Sequence, residues 1–322
     1  MALYINENDI SQSRNCWYDY IQVIEKAVIC LNELDYVQPL KSYLRFNSPD
    51  NRIITMPAYL GGEFNMAGNK WIASFPGNVR EGLPRAHSVV VLNNAATGEP
   101  LAIINTPQLS IVRTTAVSGL LLKQYLRHRP APKINLGING WGPIGRHHYK
   151  MCCEIMGPQL QNVFLHDIRG IDPASIEPSS GKVIITNSWE RVYQESDVFI
   201  TCTVAKQPYI NKEPKPASLH LNVSLRDYTT GIYPYFRNGI IVDDWEEVCR
   251  ENTDVERFHL EGGLRKEETR TLADVIAGNA MAQYEPKTPL MFNPMGMAVF
   301  DIAVGTYLYK KLLQNNGGQV LN

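Results

Sequence analysis

Three glycines at positions 140, 142 and 145 and an aspartate at 167 form the group of residues in this chain best spaced to hold a ligand. They lie in the run Lys-Ile-Asn-Leu-Gly-Ile-Asn, Gly140-Trp-Gly142-Pro143-Ile144-Gly145, a helix-like stretch, and Val-Phe-Leu-His-Asp167. Strand, glycine turn, helix, strand and acid follow one another as in a dinucleotide-binding unit. Gly140 permits the tight turn, Gly142 lets backbone N–H groups approach a pyrophosphate, and Gly145 lets the helix pack on the strand. The helix opening at Pro143 and Ile144 turns its partial positive charge toward the phosphates. Asp167, 22 positions after Gly145, falls where a carboxylate accepts hydrogen bonds from an adenosine ribose and repels a 2′-phosphate. That favours NAD over NADP, although Arg169 weakens the preference. The competing explanation is a βα turn that needs glycine for packing alone.

A second group of residues suits a small anionic substrate. Lys70 opens an apolar strand after Gly68-Asn69, and Arg113 lies in the first turns of a helix rich in small residues. A guanidinium is a planar fork for a carboxylate; Arg45, in Tyr-Leu-Arg-Phe, offers another. Snorkelling and surface ion pairs are the ordinary alternatives for these three. Asp227, in Val-Ser-Leu-Arg-Asp-Tyr, follows a strand, and ligands of open α/β sheets bind beyond the carboxyl ends of strands. It is a candidate general base, against the commoner role of a loop-capping Asx residue. Thr201-Cys202-Thr203 ends another strand at the same edge, where small residues let a cofactor lie close. Asp243-Asp244 reads as a helix cap.

The elements that must position these residues fall into three segments. Residues 1–120 mix helix and strand signals: apolar residues at helical spacing over 13–34 (Trp17, Ile21, Ile24, Val28, Leu31), then strands near 52–57, 70–74, 88–93 and 100–105 separated by hairpin turns. A helix over 108–127 ends at Arg129-Pro-Ala-Pro132, a hinge or domain boundary. Strands at 133–139, 162–167, 183–186, 197–203, 218–223 and 238–243 alternate with helices. The pattern predicts an α/β chain with a Rossmann-like doubly wound parallel sheet. From about Phe292 the chain runs through Asn293-Pro-Met295-Gly296 into an amphipathic helix that returns to the first segment. The Asn-Asn-Gly-Gly tail is expected to fray.

Bulk properties agree with a soluble enzyme. The chain has 322 residues, 44% hydrophobic and 20% charged, with net charge −1, so composition suggests neither a nucleic-acid nor a membrane partner. The N-terminus lacks the basic flank and apolar core of a secretory signal. Six cysteines without a CxxC pair read as reduced thiols of a cytoplasmic protein. Neither they nor the seven histidines show zinc spacing, and no metal is expected.

Taken in order, Arg45, Gly-Asn-Lys70-Trp, Arg113-Thr-Thr-Ala, the Gly140–Gly145 loop, Asp167, Thr201-Cys-Thr203, Asp227 and Asn293-Pro-Met-Gly-Met-Ala resemble the ornithine cyclodeaminase/mu-crystallin family across essentially the whole chain. The stretches Gln-Pro-Tyr-Ile210 and Val-Asp-Asp-Trp245 resemble a subgroup that oxidises N-(2-amino-2-carboxyethyl)-L-glutamate in siderophore precursor synthesis. The resemblance implies an α+β substrate-binding and dimerisation domain from residues 1–120 and 297–322, and an NAD-binding Rossmann domain from 121–296. It implies that Arg45, Lys70 and Arg113 hold a substrate carboxylate, that Asp227 is the catalytic acid/base aided by Lys70, and that Asn293, Met295 and Gly296 lie near the nicotinamide. Trp141 and Pro143 depart from the smaller residues common in the family's loop, which bears on its rigidity. Ornithine cyclodeamination, other imine or amino-acid dehydrogenations, and a mu-crystallin-like binding role without turnover are the alternatives. A homodimer is expected.

Overall fold

The structure, a computed structural model, describes residues 1–13, 16–48 and 50–321. The chain divides into two compact units, Met1–Thr114 with Gly296–Asn322, and Thr115–Met295. The divisions fall at 114/115 and 295/296, whereas the sequence drew them at 120/121 and 296/297. The first lies inside the helix Gln108–His128, not at the Arg129–Pro132 turn. That turn is no hinge, because Arg129 is tied into the second unit. Its guanidinium donates to the carbonyls of Ala217 (3.0 Å), Thr288 (2.7 Å) and Glu285 (3.0 Å).

The first unit is built on an eight-stranded sheet. Antiparallel hairpins join Arg52–Leu60, Met66–Ser74, Ala86–Asn94 and Pro100–Asn105, and the last of these pairs in parallel with Ala2–Ile5. Alternation decides which face is covered. Met56, Ala58 and Leu60 of one strand and Met66 and Lys70 of the next are buried, while Trp71 points the other way and is exposed. The helix Ala298–Gln314 packs across these strands and against Trp17–Asn32. The helix expected over 13–34 is observed as Trp17–Asn32, with a separate short helix Glu7–Gln12 before it; residues 14 and 15 lie outside the described residues.

The tail expected to fray is ordered. Gly317 N–H closes on the Leu312 carbonyl at 2.8 Å, and Gln319–Leu321 pairs antiparallel with Ala2–Ile5, so an edge strand absorbs its backbone groups.

The second unit is a parallel sheet of eight strands. Their spatial order is Lys182–Ile185, Leu160–His166, Ile134–Asn139, Val198–Thr201, Leu219–Asn222, Leu290–Asn293, Ile240–Val242, Arg270–Thr271. Leu290–Asn293 is a central, fully buried strand, although the sequence began the lead-in to the last helix at about Phe292, inside it. The strand order reverses between Ile134–Asn139 and Val198–Thr201, which makes their carboxyl ends the topological switch point where open α/β sheets bind ligands. Gly140 follows one of these strands directly and Cys202 the other.

Candidate active site

The second unit supplies a phosphate cradle at that switch point. Gly140 has φ +101°, and a Cβ there would lie 2.4 Å from the Cys202 carbonyl oxygen. A Cβ at Gly145 would lie 2.0 Å from the Gly140 carbonyl oxygen, so this glycine lets helix and turn meet. Gly142 differs: a Cβ there would meet nothing within 4 Å, so its side of the turn is open. Gly142 also caps the helix Pro143–Met156 and brings no side chain of its own to the helix's first N–H groups. Open space over amides at a helix start fits a dinucleotide pyrophosphate.

Asp167 follows the next strand. Its Oδ2 accepts from Trp141 N–H at 2.8 Å and its Oδ1 from Arg169 N–H at 2.9 Å. Burial opposes ionisation, but these amides and the Arg169 guanidinium outweigh it and hold the carboxyl below its ordinary range. A carboxylate has lone pairs left over for a ribose hydroxyl. Trp141 is fixed through Nε1 to Ser175 Oγ (2.9 Å) and edge-on to Tyr149, so the bulky residue braces the loop.

Strand ends also carry Thr201, Cys202, Thr203, Asp227 and Asn293. Thr201 Oγ1 donates to Asn222 Oδ1 at 3.0 Å, and Asn222 Nδ2 to Asn293 Oδ1 at 2.8 Å. Asn293 is fully buried, its Nδ2 turned to the carbonyls of Met291 and Ile241, so its amide knits strand ends together. Met295 N–H donates to Asp243 Oδ1 at 3.0 Å. Burial pushes the Cys202 thiol far up, which leaves no thiolate nucleophile.

Asp227 is fully buried. Its Oδ1 accepts from Thr203 Oγ1 at 2.5 Å, and its Oδ2 is buried without a hydrogen-bond partner among the described residues. The loop is tied by its backbone carbonyl, which accepts from Tyr209 and Ile210 N–H groups at 2.8 Å each. Burial raises the carboxyl's affinity for a proton, and the Thr203 hydroxyl opposes this. A buried carboxylate with one oxygen left without a hydrogen-bond partner among the described residues is equipped to take a proton.

The first unit holds the cations. Lys70 and Arg113 both reach one oxygen of Asp301: Nζ to Oδ1 is 3.0 Å and Arg113 Nε to Oδ1 is 3.1 Å. Asp301 is fully buried on the helix Ala298–Gln314, and its Oδ2 has no partner among the described residues. Burial, the Arg113 charge and the Lys41 charge lower the Lys70 ammonium to about 7, against the pull of Asp301. Gly296, at φ +88°, lies under the guanidinium; a Cβ there would sit 2.5 Å from Nη1. Arg45 is not part of this buried group. It ends the strand Ser42–Arg45, exposed, with its guanidinium 5.2 Å from the Tyr43 ring centre.

Two residues here were missed by reasoning from sequence. Asp301 was passed over within an apolar helix, although a lone acid among Val299, Ile302 and Ala303 was a visible signal. Lys41, buried beside the exposed strand that carries Arg45, had no such mark.

The sequence profile of the ornithine cyclodeaminase/mu-crystallin family matches residues 5–316. The N-((2S)-2-amino-2-carboxyethyl)-L-glutamate dehydrogenase of Staphylococcus aureus is 31% identical over 335 aligned positions, covering 99% of this chain and 98% of that protein. The Thermococcus litoralis Delta(1)-pyrroline-2-carboxylate reductase, solved with NADH and L-proline, superposes with TM-score 0.85 at 20% identity, over 99% of this chain and all of that one. An archaeal alanine dehydrogenase dimer with bound NAD superposes with TM-score 0.83 at 20% identity, over 100% of this chain and 99% of that one. The two solved structures share this fold: a Rossmann-like parallel sheet with a second, mixed-sheet unit. The chain belongs to the ornithine cyclodeaminase/mu-crystallin family.

Proposed function

We propose that this chain is an NAD-dependent amino-acid dehydrogenase acting on a CH–NH bond, and that it oxidatively hydrolyses N-(2-amino-2-carboxyethyl)-L-glutamate to L-2,3-diaminopropionate, 2-oxoglutarate and NADH. The observation that carries the reading is the single oxygen of Asp301 shared by Lys70 and Arg113. One carboxylate cannot neutralise two buried cations, and a substrate carboxylate restores the balance. The name of the S. aureus relative supplies the substrate, and the relatives solved with NAD or NADH support the cofactor.

In this account Arg113 and Lys70 fix the glutamate-derived α-carboxylate and thereby the Cα–H to be oxidised. Arg45, exposed at the end of its strand, is a third candidate for holding a substrate carboxylate. Asp227 takes the proton of the secondary amine, because only the neutral amine's lone pair can assist loss of hydride. Gly140–Gly145, Asp167 and Thr201–Thr203 would hold NAD, with Asn293, Met295 and Gly296 toward its nicotinamide end, and the bound cofactor would supply the hydride acceptor. Oxidation leaves a C=N bond on the substrate. Asp227 passes the amine proton to solvent, as the one proton released overall, and then removes a proton from the water that adds to this carbon, while Lys70, ionising near pH 7, relays a proton to the departing nitrogen. The C–N bond breaks, the carbon leaves as 2-oxoglutarate and the nitrogen as 2,3-diaminopropionate. Overall, substrate, NAD⁺ and water give the two products, NADH and one proton.

The unit containing both chain ends is assigned substrate binding and dimerisation, its sheet face around the exposed Trp71 being the dimer surface, and the second unit NAD binding. Free cysteines accord with a cytoplasmic location. The test is Asp227→Asn, which keeps size but cannot take a proton. Turnover should fall by about 10²–10⁴ while NAD affinity holds. Near-normal turnover would return Asp227 to a structural role.

A further inference from the structure

Asp254 is a second fully buried carboxylate in the second unit, and the mechanism does not use it. It begins the helix Asp254–Gly262, after the capping residue Thr253, and its own N–H is anchored to the Leu225 carbonyl at 2.7 Å. Its side chain reaches back to the loop that carries Asp227. Oδ2 accepts from the Asp227 N–H at 3.2 Å and Oδ1 from the Tyr228 N–H at 3.3 Å. Oδ2 also accepts from Asn222 Nδ2 at 2.9 Å, and Arg257 Nη2 donates to Oδ1. Two successive backbone amides are therefore clasped by one carboxylate, which is itself held by a strand end and by its own helix.

We propose that Asp254 is a positioning residue for Asp227: its carboxylate fixes the Asp227 backbone and sets a second buried negative charge beside the base. The proposal deepens the reading of Asp227 as the base and rests on it. Two carboxylates in one low-dielectric region oppose each other's ionisation. Burial lifts Asp254 to about 6; Asn222 and Arg257 pull it down and Asp227 pushes it up. The other groups facing Asp227 are Arg226 on its own loop, Tyr209, Tyr228 and Cys202. Burial raises the two phenols and the thiol, so they stay neutral through the physiological range. Among these groups Asp254 is the one whose charge can change with Asp227's. A carboxylate that must both accept and return a proton benefits from that upward pressure.

The experiment compares Asp254→Asn and Asp254→Glu in the full-length NAD-bound protein. The Asp227 carboxyl is titrated by ¹³C NMR, with its signal identified by its loss in Asp227→Asn, alongside the pH profile of kcat/KM. Asp254→Asn removes the charge, so the Asp227 midpoint and the acid limb should move down by about one pH unit. Asp254→Glu keeps the charge but displaces the clasp, so the midpoint should stay while kcat falls about tenfold or more. An unmoved Asp227 midpoint in Asp254→Asn overturns the proposal. If the Asn variant does not fold, the Glu variant decides: wild-type kcat in Asp254→Glu overturns it. The NMR midpoint reports on Asp227 whether or not that residue is the base. Normal turnover by Asp227→Asn with a shifted midpoint would sink the catalytic reading and spare the charge coupling.

Discussion

The ammonium of Lys70 lies 3.0 Å from Oδ1 of Asp301, in a contact that is 1% exposed on the lysine side and fully buried on the aspartate side. The two residues are 231 positions apart, one on a strand near the start of the chain and the other on its last helix. With the lysine lowered to about 7, carboxylate binding should depend on pH. The ammonium is present below that value and lost above it, so the affinity of a substrate-like carboxylate inhibitor should fall as pH rises through about 7. Asp301→Asn removes the group that favours the ammonium, and the midpoint should move lower. Inhibition constants that do not change between about pH 6 and 9 in the wild-type protein contradict this.

Removing Asp301's polar group altogether is a stability experiment. Asp301→Ala leaves Lys70 and Arg113 buried without their shared counterion, which should cost about 3–5 kcal/mol. Urea denaturation measures it. A loss below about 1 kcal/mol would mean that water or another group already neutralises the pair.

Much of the fold and part of the site were legible before any coordinates. The glycine loop was readable because its backbone tolerates nothing else at Gly140 and Gly145, and local sequence records that demand. The parallel sheet was readable from alternating strands and helices. Asp301 was only half legible: a lone acid on an apolar helix marks an unusual position, but its partners come from a distant strand and a distant helix that no local pattern names. Leu290–Asn293 was missed as a strand because three apolar residues and an asparagine after a proline carry no period. The edge strand Gln319–Leu321 depends on pairing with the opposite end of the chain, which no local pattern encodes. Arg45 looked as suitable a fork as Arg113; only burial separates them.

The carboxylate clamp can be probed without changing its charge. Arg113→Lys keeps a cation but loses the planar fork. kcat/KM for the amino-acid substrate should fall by about 10²-fold with NAD affinity within twofold of wild type. Equal losses for both ligands would place Arg113 in general packing.

The two loop glycines should fail in different ways. Gly142→Val projects into open space, so the variant should fold with an unchanged melting temperature but lose NAD binding. Gly145→Val drives a side chain onto the Gly140 carbonyl oxygen and should lower the melting temperature as well. Calorimetry with and without NAD separates the two. Full NAD affinity in Gly142→Val would mean that the loop has only a structural role.

His148 gives the second unit an acid limit. Burial pushes the imidazole from 6.5 down to about 4, with the Ile144 carbonyl opposing, and Nε2 lies 2.9 Å from Ser118 Oγ. Between those values the unfolded chain binds a proton that the folded one refuses. The stability is therefore present above 6.5 and lost as pH falls toward 4. His148→Gln should be less stable than wild type at neutral pH, and the gap in melting temperature should narrow by roughly 5 °C on acidification. A constant gap would show that His148 does not titrate in this way.

The central claim is oxidation of a secondary amine followed by hydrolysis, and product stoichiometry tests it most directly. The purified chain is incubated with N-(2-amino-2-carboxyethyl)-L-glutamate and NAD⁺, and NADH, 2-oxoglutarate and 2,3-diaminopropionate are measured together. The account predicts all three in a 1:1:1 ratio. No NADH from this substrate, together with proline and ammonia from ornithine without net NADH, would contradict it and identify the chemistry as cyclodeamination.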